Sequence, residues 1–307
     1  MNQSSTVSVI IPNYNYGRFI AESIQSVLAQ TYPIHEIIVV DDGSTDDSIE
    51  IIRQFGNKAR LITQQNQGVG AARNIGVENS SGEFIAFLDA DDIWLPTKIE
   101  EQLKIFTDKE VGLVSCGARE FNSQNGETIE ILLPDKTEWS AESILLRRHS
   151  INVSGNSIVV RRQTFEKVGG FDNRKQMHPA EDWEFCYRAA LAGKVASVSK
   201  VLVNYRNHGG NGHLKTPQME RALILAHEKT FTDALPELDL LRRKSLGKLH
   251  TILAGSYFQA GEYRQFIKHT LRALQANPSN ITRYVSFPWR IIRRLTSPPV
   301  KVKNPRS

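Results

Sequence analysis

The chain has 307 residues, 40% apolar and 23% charged, which is an ordinary globular composition with room for a sizeable core. No run of about 18 uncharged apolar residues occurs, so no transmembrane helix is expected. The opening residues Met1 to Thr6 lack a basic and an apolar stretch, so no secretory leader is expected either.

The first hundred residues alternate strand and helix signals. Val7 to Ile11 reads as a strand ending at Pro12, and Arg18 to Gln30 places Phe19, Ile20, Ile24, Val27 and Leu28 at helical spacing. Glu36 to Val40 is a second strand, stopped by Asp41-Asp42-Gly43-Ser44; Thr45 or Asp46 caps a helix carrying Ile49, Ile51, Ile52 and Phe55. Leu61 to Thr63 is a third strand, Gly70 to Glu78 a helix, and Phe84 to Leu88 a fourth strand. This alternation predicts βαβ units and a parallel sheet covered on both faces. Pro96 is expected at the first position of a helix holding Ile99, Leu103 and Phe106. Val111 to Cys116 and Ser157 to Val160 read as strands, Glu184 to Leu191 as a helix, and Val195 to Tyr205 as a strand at a sheet edge. From about Pro217 the pattern is only helical, and Ala254 to Ala276 resembles one helix-turn-helix broken at Gly261 and ended by Asn277-Pro278. Cys116 and Cys186 lie in apolar stretches and read as buried thiols of a reducing compartment.

Phe87-Leu88-Asp89-Ala90-Asp91-Asp92 sets three carboxylates at the end of a buried strand. Desolvated like charges need a counter-ion, and a divalent cation shared with substrate phosphates is the usual one. In parallel sheets, ligands bind beyond the carboxyl ends of the strands. Four features fall there: Pro12-Asn13-Tyr14-Asn15, Asp41-Asp42-Gly43-Ser44, the loop Gln65 to Arg73, and the acidic cluster. Singly, each reads equally well as a turn, a cap or packed surface; together they outline one rim.

Val7 to Asn15, Ile38 to Asp46, Asn66-Gln67-Gly68 with Ala71-Ala72-Arg73-Asn74, the acidic cluster, Gly169-Gly170-Phe171-Asp172, Glu181-Asp182-Trp183 and Tyr205-Arg206-Asn207-His208 resemble the successive signatures of family 2 inverting glycosyltransferases. The resemblance covers roughly residues 6 to 210 and implies a GT-A fold, with a mixed, mostly parallel sheet flanked by helices. It divides the chain into a transferase domain at 1–212 and a helical C-terminal region at 213–307. It implies a donor that is a nucleotide-diphospho-sugar, first of all a UDP sugar, a glycan or lipid-linked acceptor in cell-envelope polysaccharide assembly, and Mg2+ or Mn2+ as cofactor. Tyr14 would stack on the base and Asp42 would accept the imide proton with Asp41 alongside. Pro12 and Asn13 would touch the nucleoside through backbone, Arg73 would offset its charge, and Ala90 would line the same site. Asp91 would ligate the metal, Asp89 would meet the ribose or the metal, and Asp92 would cap the following turn. Asp182 is the implied base that takes the acceptor hydroxyl proton, with Glu181 positioning the acceptor or its loop; an acidic helix cap is the plain alternative. Trp183 offers a face to a sugar or belongs to the core. His208 would reach the metal or phosphate from a glycine-rich loop, and His178 receives no role. Sugar nucleotidyl transfer, or a nucleotide-sugar-binding module without activity, are the alternative functions. The first of these normally uses a glycine-rich loop where Pro12-Asn13-Tyr14-Asn15 stands.

The net charge of +5 conceals an asymmetry. Ten Lys and Arg and no acid follow Glu262, while residues 1–262 hold 28 basic and all 33 acidic residues, a net of −5. Ile291, Ile292 and Leu295 share one helical face opposite Arg290, Arg293 and Arg294, with Phe287 and Trp289 before them. This tail suits an anionic membrane surface or packing on the acidic body, and the expected location is cytoplasmic, peripheral at the inner face of the membrane. No recognition motif accompanies the charge, so nucleic acid is not expected as a partner.

Overall fold

The computed structural model describes residues 5–146, 152–208, 216–232 and 241–281. These fall into two compact units divided between residues 239 and 240.

The first unit is a mixed ten-stranded sheet with helices on its faces. β1 (Val7–Asn13) is buried at all seven positions, as a parallel strand covered on both sides must be. β2 (Glu36–Asp41), β3 (Arg60–Thr63) and β4 (Phe84–Phe87) lie parallel to it in the order β3-β2-β1-β4. The crossovers are α1 (Gly17–Leu28), α2 (Ser48–Arg53) and α3 (Val69–Glu78). α1 buries Ile20, Ile24 and Val27 on the stripe that its spacing predicts. Beyond β4 the sheet continues through antiparallel β9 (Val159–Arg161) to β6 (Val111–Asn122) and β10 (Lys194–Asn207), which are parallel to each other. The remaining strands are short: β5 (Ile93–Trp94), β7 (Thr128–Leu132) and β8 (Glu138–Trp139). The helices of this half are α4 (Lys98–Ile105), α5 (Ala141–Leu145), α6 (Arg162–Val168), α7 (Glu181–Ala192) and α8 (Thr216–Thr232). Cys116 and Cys186 are buried free thiols, as expected.

Three expectations change. The N-cap of α2 is Asp47, not Thr45 or Asp46, and the Asp46 carboxylate accepts the Ser48 N–H instead. The segment Val195 to Tyr205 is not a sheet edge: β10 has β6 on one side and β5 and β8 on the other. Partners only two residues long present no apolar run to read. The helix after Pro96 begins at Lys98 with Thr97 at its N-cap, so Pro96 precedes the cap. Its carbonyl instead accepts the Thr31 N–H at 2.9 Å and ties this turn to the chain leaving α1.

The second unit pairs α9 (Arg242–Gln259) with α10 (Tyr263–Ala276). The turn holds Gly261 at φ +76°, the left-handed region that glycine enters without strain. Leu253, Ala254 and Tyr257 from α9 and His269 and Ala273 from α10 are buried. The Nδ1 atoms of His250 and His269 are 3.0 Å apart, so one donates and the other accepts. The break at Gly261 and the end at Asn277-Pro278 match the sequence pattern, while the first helix starts earlier than Ala254. No helix among the described residues is long and apolar enough to cross a membrane. The tail at 283–307 and the glycines after His208 lie outside the described residues.

Candidate active site

β1 and β2 end side by side, with Asn13 paired to Asp41 in register. The Asn13 amide donates to Asp41 Oδ1 at 2.8 Å and to Ser44 Oγ at 3.1 Å, so both strand ends are locked together. Asn15 enters the left-handed region at φ +58° and its Oδ1 accepts the Thr45 N–H, a conformation that asparagine tolerates. Tyr14, between them, is 46% exposed, so its ring face is available to a ligand. Asp42 is buried, and its carboxylate accepts from Gln64 Nε2, Gln67 N–H and Gly68 N–H at 2.7, 2.7 and 2.8 Å. Gly68 sits at φ +97°, which explains a glycine there. Asp42 thus builds the Gln64–Gly68 loop with three of a carboxylate's roughly four acceptor positions.

The three clustered acids go three different ways. Asp89 Oδ1 accepts from Arg73 Nη2 at 2.8 Å. Asp91 Oδ2 lies 3.0 Å from His208 Nε2. Asp92 is fully buried and accepts from Asn156 Nδ2 and, at 2.8 Å, from the Arg206 N–H. Burial, reinforced by the charges of Asp91 and Asp89, pushes the Asp92 carboxyl well up. Its work is structural: together with the Arg206 Nε–H bond to the Asp91 carbonyl at 2.7 Å, it fastens the end of β10 to the acidic loop. Ser23 Oγ donates to the Ala90 and Asp92 carbonyls from the α1 side. Ala90 is buried, and only its backbone takes part.

His208 is held on every side. Arg18 Nη2 is 3.2 Å from its Nδ1, and the rings of Tyr16 and Phe19 pack at 5.6 and 5.2 Å. Arginine can only donate, so Nδ1 accepts and Nε2 carries the proton toward Asp91. Burial and the three acids push the Tyr16 phenol up, which keeps it protonated beside them.

The centre of the site is Arg73, 2% exposed. Its guanidinium reaches Asp89 at 2.8 Å, Asp182 Oδ1 at 2.5 Å and Glu181 Oε1 at 3.2 Å. α3 supplies the arginine, the loop after β4 supplies Asp89, and the first turn of α7 supplies the other two acids. The Asn74 amide exchanges two 2.9 Å bonds with the Phe171 backbone and fixes α3 against the loop leading to α7. Asp182 Oδ2 accepts the Gly155 N–H at 2.7 Å. A Cβ on Gly155 would come within 2.5 Å of Arg73 Nη2, so only glycine brings this amide to the carboxylate. Burial raises the Asp182 carboxyl, Arg73 pulls it back, and Glu181 and Asp89 raise it again, leaving it at about 7. Burial also raises Glu181, but the hydrogen bond and charge of His178, with Arg73, outweigh it and leave this carboxyl below its ordinary value. One acid of the adjacent pair titrates near neutrality and the other stays ionised.

His178, given no role from the sequence, touches Glu181 Oε1 through Nδ1 at 3.3 Å. Gly155, Asn156, Arg18 and Tyr16 also escaped the sequence reading, because each acts through a partner far along the chain. Trp183 belongs to the core: it is buried and its Nε1–H donates to the Ile144 carbonyl at 3.0 Å.

The family model for Glycosyl transferase family 2 matches residues 8–169. An uncharacterized glycosyltransferase of Nostoc sp. is 38% identical over 215 residues, covering 68% of this chain and 66% of the relative. The chain belongs to glycosyl transferase family 2. An uncharacterized glycosyltransferase of Rickettsia typhi is 34% identical over 211 residues, 67% of this chain and 65% of that one. The matched stretch therefore spans just under two thirds of these relatives' own length. Among solved structures, S. aureus TarS in complex with UDP-GlcNAc superposes with a TM-score of 0.64 at 21% identity, over 88% of this chain and 81% of that one. The mannosyltransferase PcManGT from Pyrobaculum calidifontis, in complex with GDP-Man and Mn2+, gives 0.65 at 20% identity, over 96% and 84%. At these identities the likeness shows the GT-A fold.

A divalent cation fits the residues of this member of the family. Asp91 offers a carboxylate oxygen, and His208 would offer Nε2 beside it once a cation displaced the proton it points at Asp91, a set that suits Mn2+ better than Mg2+. No group of three or more Asp, Glu, His or Cys residues able to hold a metal occurs among the described residues. Asp89 meets Arg73 through Oδ1.

Proposed function

We propose that the chain transfers a sugar with inversion from a nucleotide-diphospho-sugar, a UDP sugar first, to an acceptor hydroxyl on a glycan or lipid-linked carrier in cell-envelope polysaccharide assembly. The observation that carries this reading is the Arg73 bridge. It joins Asp89, on the donor side, to Asp182, whose carboxyl at about 7 suits a base working near neutral pH. Tyr14 supplies a ring face for the base of the nucleotide, and Asp42 would accept the uracil imide proton. Asp41 and Asn13 hold that pocket in shape, with Pro12 behind them. Asp91 and His208 would hold the divalent cation, whose chemistry is to neutralise the leaving nucleoside diphosphate. Asp182 takes the proton from the acceptor hydroxyl, and Glu181, kept ionised, holds Arg73 and with it the orientation of the base.

Titration calorimetry with UDP tests the donor side. Mn2+ is expected to tighten UDP binding by the wild-type chain at least tenfold, and Asp91→Ala is expected to abolish that gain while leaving the metal-free affinity unchanged. Tight metal-dependent binding by Asp91→Ala removes it as a ligand. A panel of nucleotide sugars, read by donor hydrolysis, identifies the sugar; hydrolysis of none of them, with no binding of UDP, overturns the reading.

A further inference from the structure

α10 exposes more apolar surface than a helix in a two-helix unit has reason to expose. Tyr263, Ile267 and Leu271 are 60%, 56% and 62% exposed, and Ile281 just beyond is 50% exposed. Tyr263, Ile267 and Leu271 recur every fourth residue, so these three form one stripe along the helix. The inward face is satisfied by the buried His269 and Ala273, and Tyr263 also packs edge-on against Phe258 at 5.8 Å, which leaves Ile267 and Leu271 as the outward part of the stripe. Arg264, Lys268 and Arg272 each follow one stripe residue by one position, which sets a parallel basic stripe about 100° round the helix. All three are exposed. No acid lies between residues 263 and 307, and seven further Lys and Arg follow the helix.

An apolar stripe with a basic stripe along its flank is the arrangement of a helix lying in the plane of a lipid headgroup layer. The apolar side chains enter the acyl boundary while the cations stay among anionic headgroups, and the long stems of Arg and Lys let them do so from the flank. A second copy of this chain is the poorer match, because a self-pairing face would set these cations against one another with no acid on the helix to receive them. We propose that the outward face of α10 docks on an anionic lipid surface, and that this helix, not the basic tail alone, brings the chain to the membrane.

Sedimentation of the full chain with vesicles of phosphatidylcholine, with and without phosphatidylglycerol, tests this. The tail stays intact in every variant, so any loss belongs to the helix. The wild-type chain is expected to bind the phosphatidylglycerol vesicles and to leave the neutral ones largely unbound. Ile267→Glu with Leu271→Glu is expected to weaken that binding by more than about tenfold. Arg264→Gln with Lys268→Gln and Arg272→Gln is expected to do the same, with a shallower salt dependence. The glutamine triple introduces no charge into an apolar position, so its result stands even if the glutamate pair disturbs the fold. Unchanged vesicle binding by both variants overturns the proposal. So does a wild-type dimer that the glutamate pair dissociates while vesicle binding persists, because the stripe would then be a self-association face.

Discussion

Asp182→Asn is expected to cut turnover by about 10²- to 10⁴-fold while nucleotide-sugar affinity stays within about threefold. The loss belongs to the chemical step, because the role proposed for Asp182 is proton removal and its partners are Arg73 and Gly155. An asparagine oxygen can still accept the Gly155 N–H, so the loop keeps its place; its NH2 then loses the Arg73 bond, Arg73 keeps Asp89 and Glu181, and the amide has no basic lone pair for the acceptor proton. The pH profile gives a second handle. The working form of the base is the carboxylate, and burial leaves this carboxyl at about 7 against an ordinary 3.8. Wild-type kcat/KM is therefore expected to rise with pH up to about 7 and then level, falling about tenfold per unit below it. Glu181 does not confuse that limb, since it titrates below its ordinary value. Residual activity of Asp182→Asn should lack the limb altogether. A variant with normal turnover, or one that keeps the same rise toward 7, would move the base to another residue.

In the first half of the sheet β1, β2 and β4 are plain in the sequence because they are buried on both faces and read as apolar runs, such as Ile37 to Val40. The second half is not. β7 is exposed at all five positions, and β5 and β8 have two residues each, so none carries a periodic signal. The same division runs through the site. Motifs at strand ends mark which residues gather, since the sheet brings those ends to one rim. What each side chain then does depends on partners the chain order hides: Arg73 meets acids 16, 108 and 109 positions away, and Asp92 meets the Arg206 N–H across 114. Three clustered acids therefore read as one charge problem at a strand end. In three dimensions they serve an ion-pair bridge, a histidine pair and a buried strap.

Arg73→Met is expected to destabilise the chain by about 3–5 kcal/mol, the range for removing one partner from a buried ion pair. Methionine fills much of the space, so the cost comes from charge and not from a cavity. Glu181 is buried, Asp182 and Asp89 are partly so, and all three lose their cation together. Lysine is a poor substitute: one ammonium on a flexible stem cannot reproduce a planar fork that meets Asp89 through Nη2 and the other two acids through Nη1. Arg73→Lys should accordingly recover only part of the loss. The sign of the pH dependence separates this account from simple misfit. Without the guanidinium, the three carboxyls titrate higher in the folded chain than in the unfolded one, where they take ordinary values. Their cost is present above the folded pKa values and fades as pH falls through them. Paired melting curves of wild type and Arg73→Met should therefore differ most at pH 8 and converge toward pH 5. Adding Asp182→Asn to Arg73→Met removes one of the stranded charges and should return part of the melting temperature at pH 8. A deficit of the same size at both pH values would mean that the arginine acts by packing against Phe171, 5.1 Å from its guanidinium carbon, and not by holding the acids together.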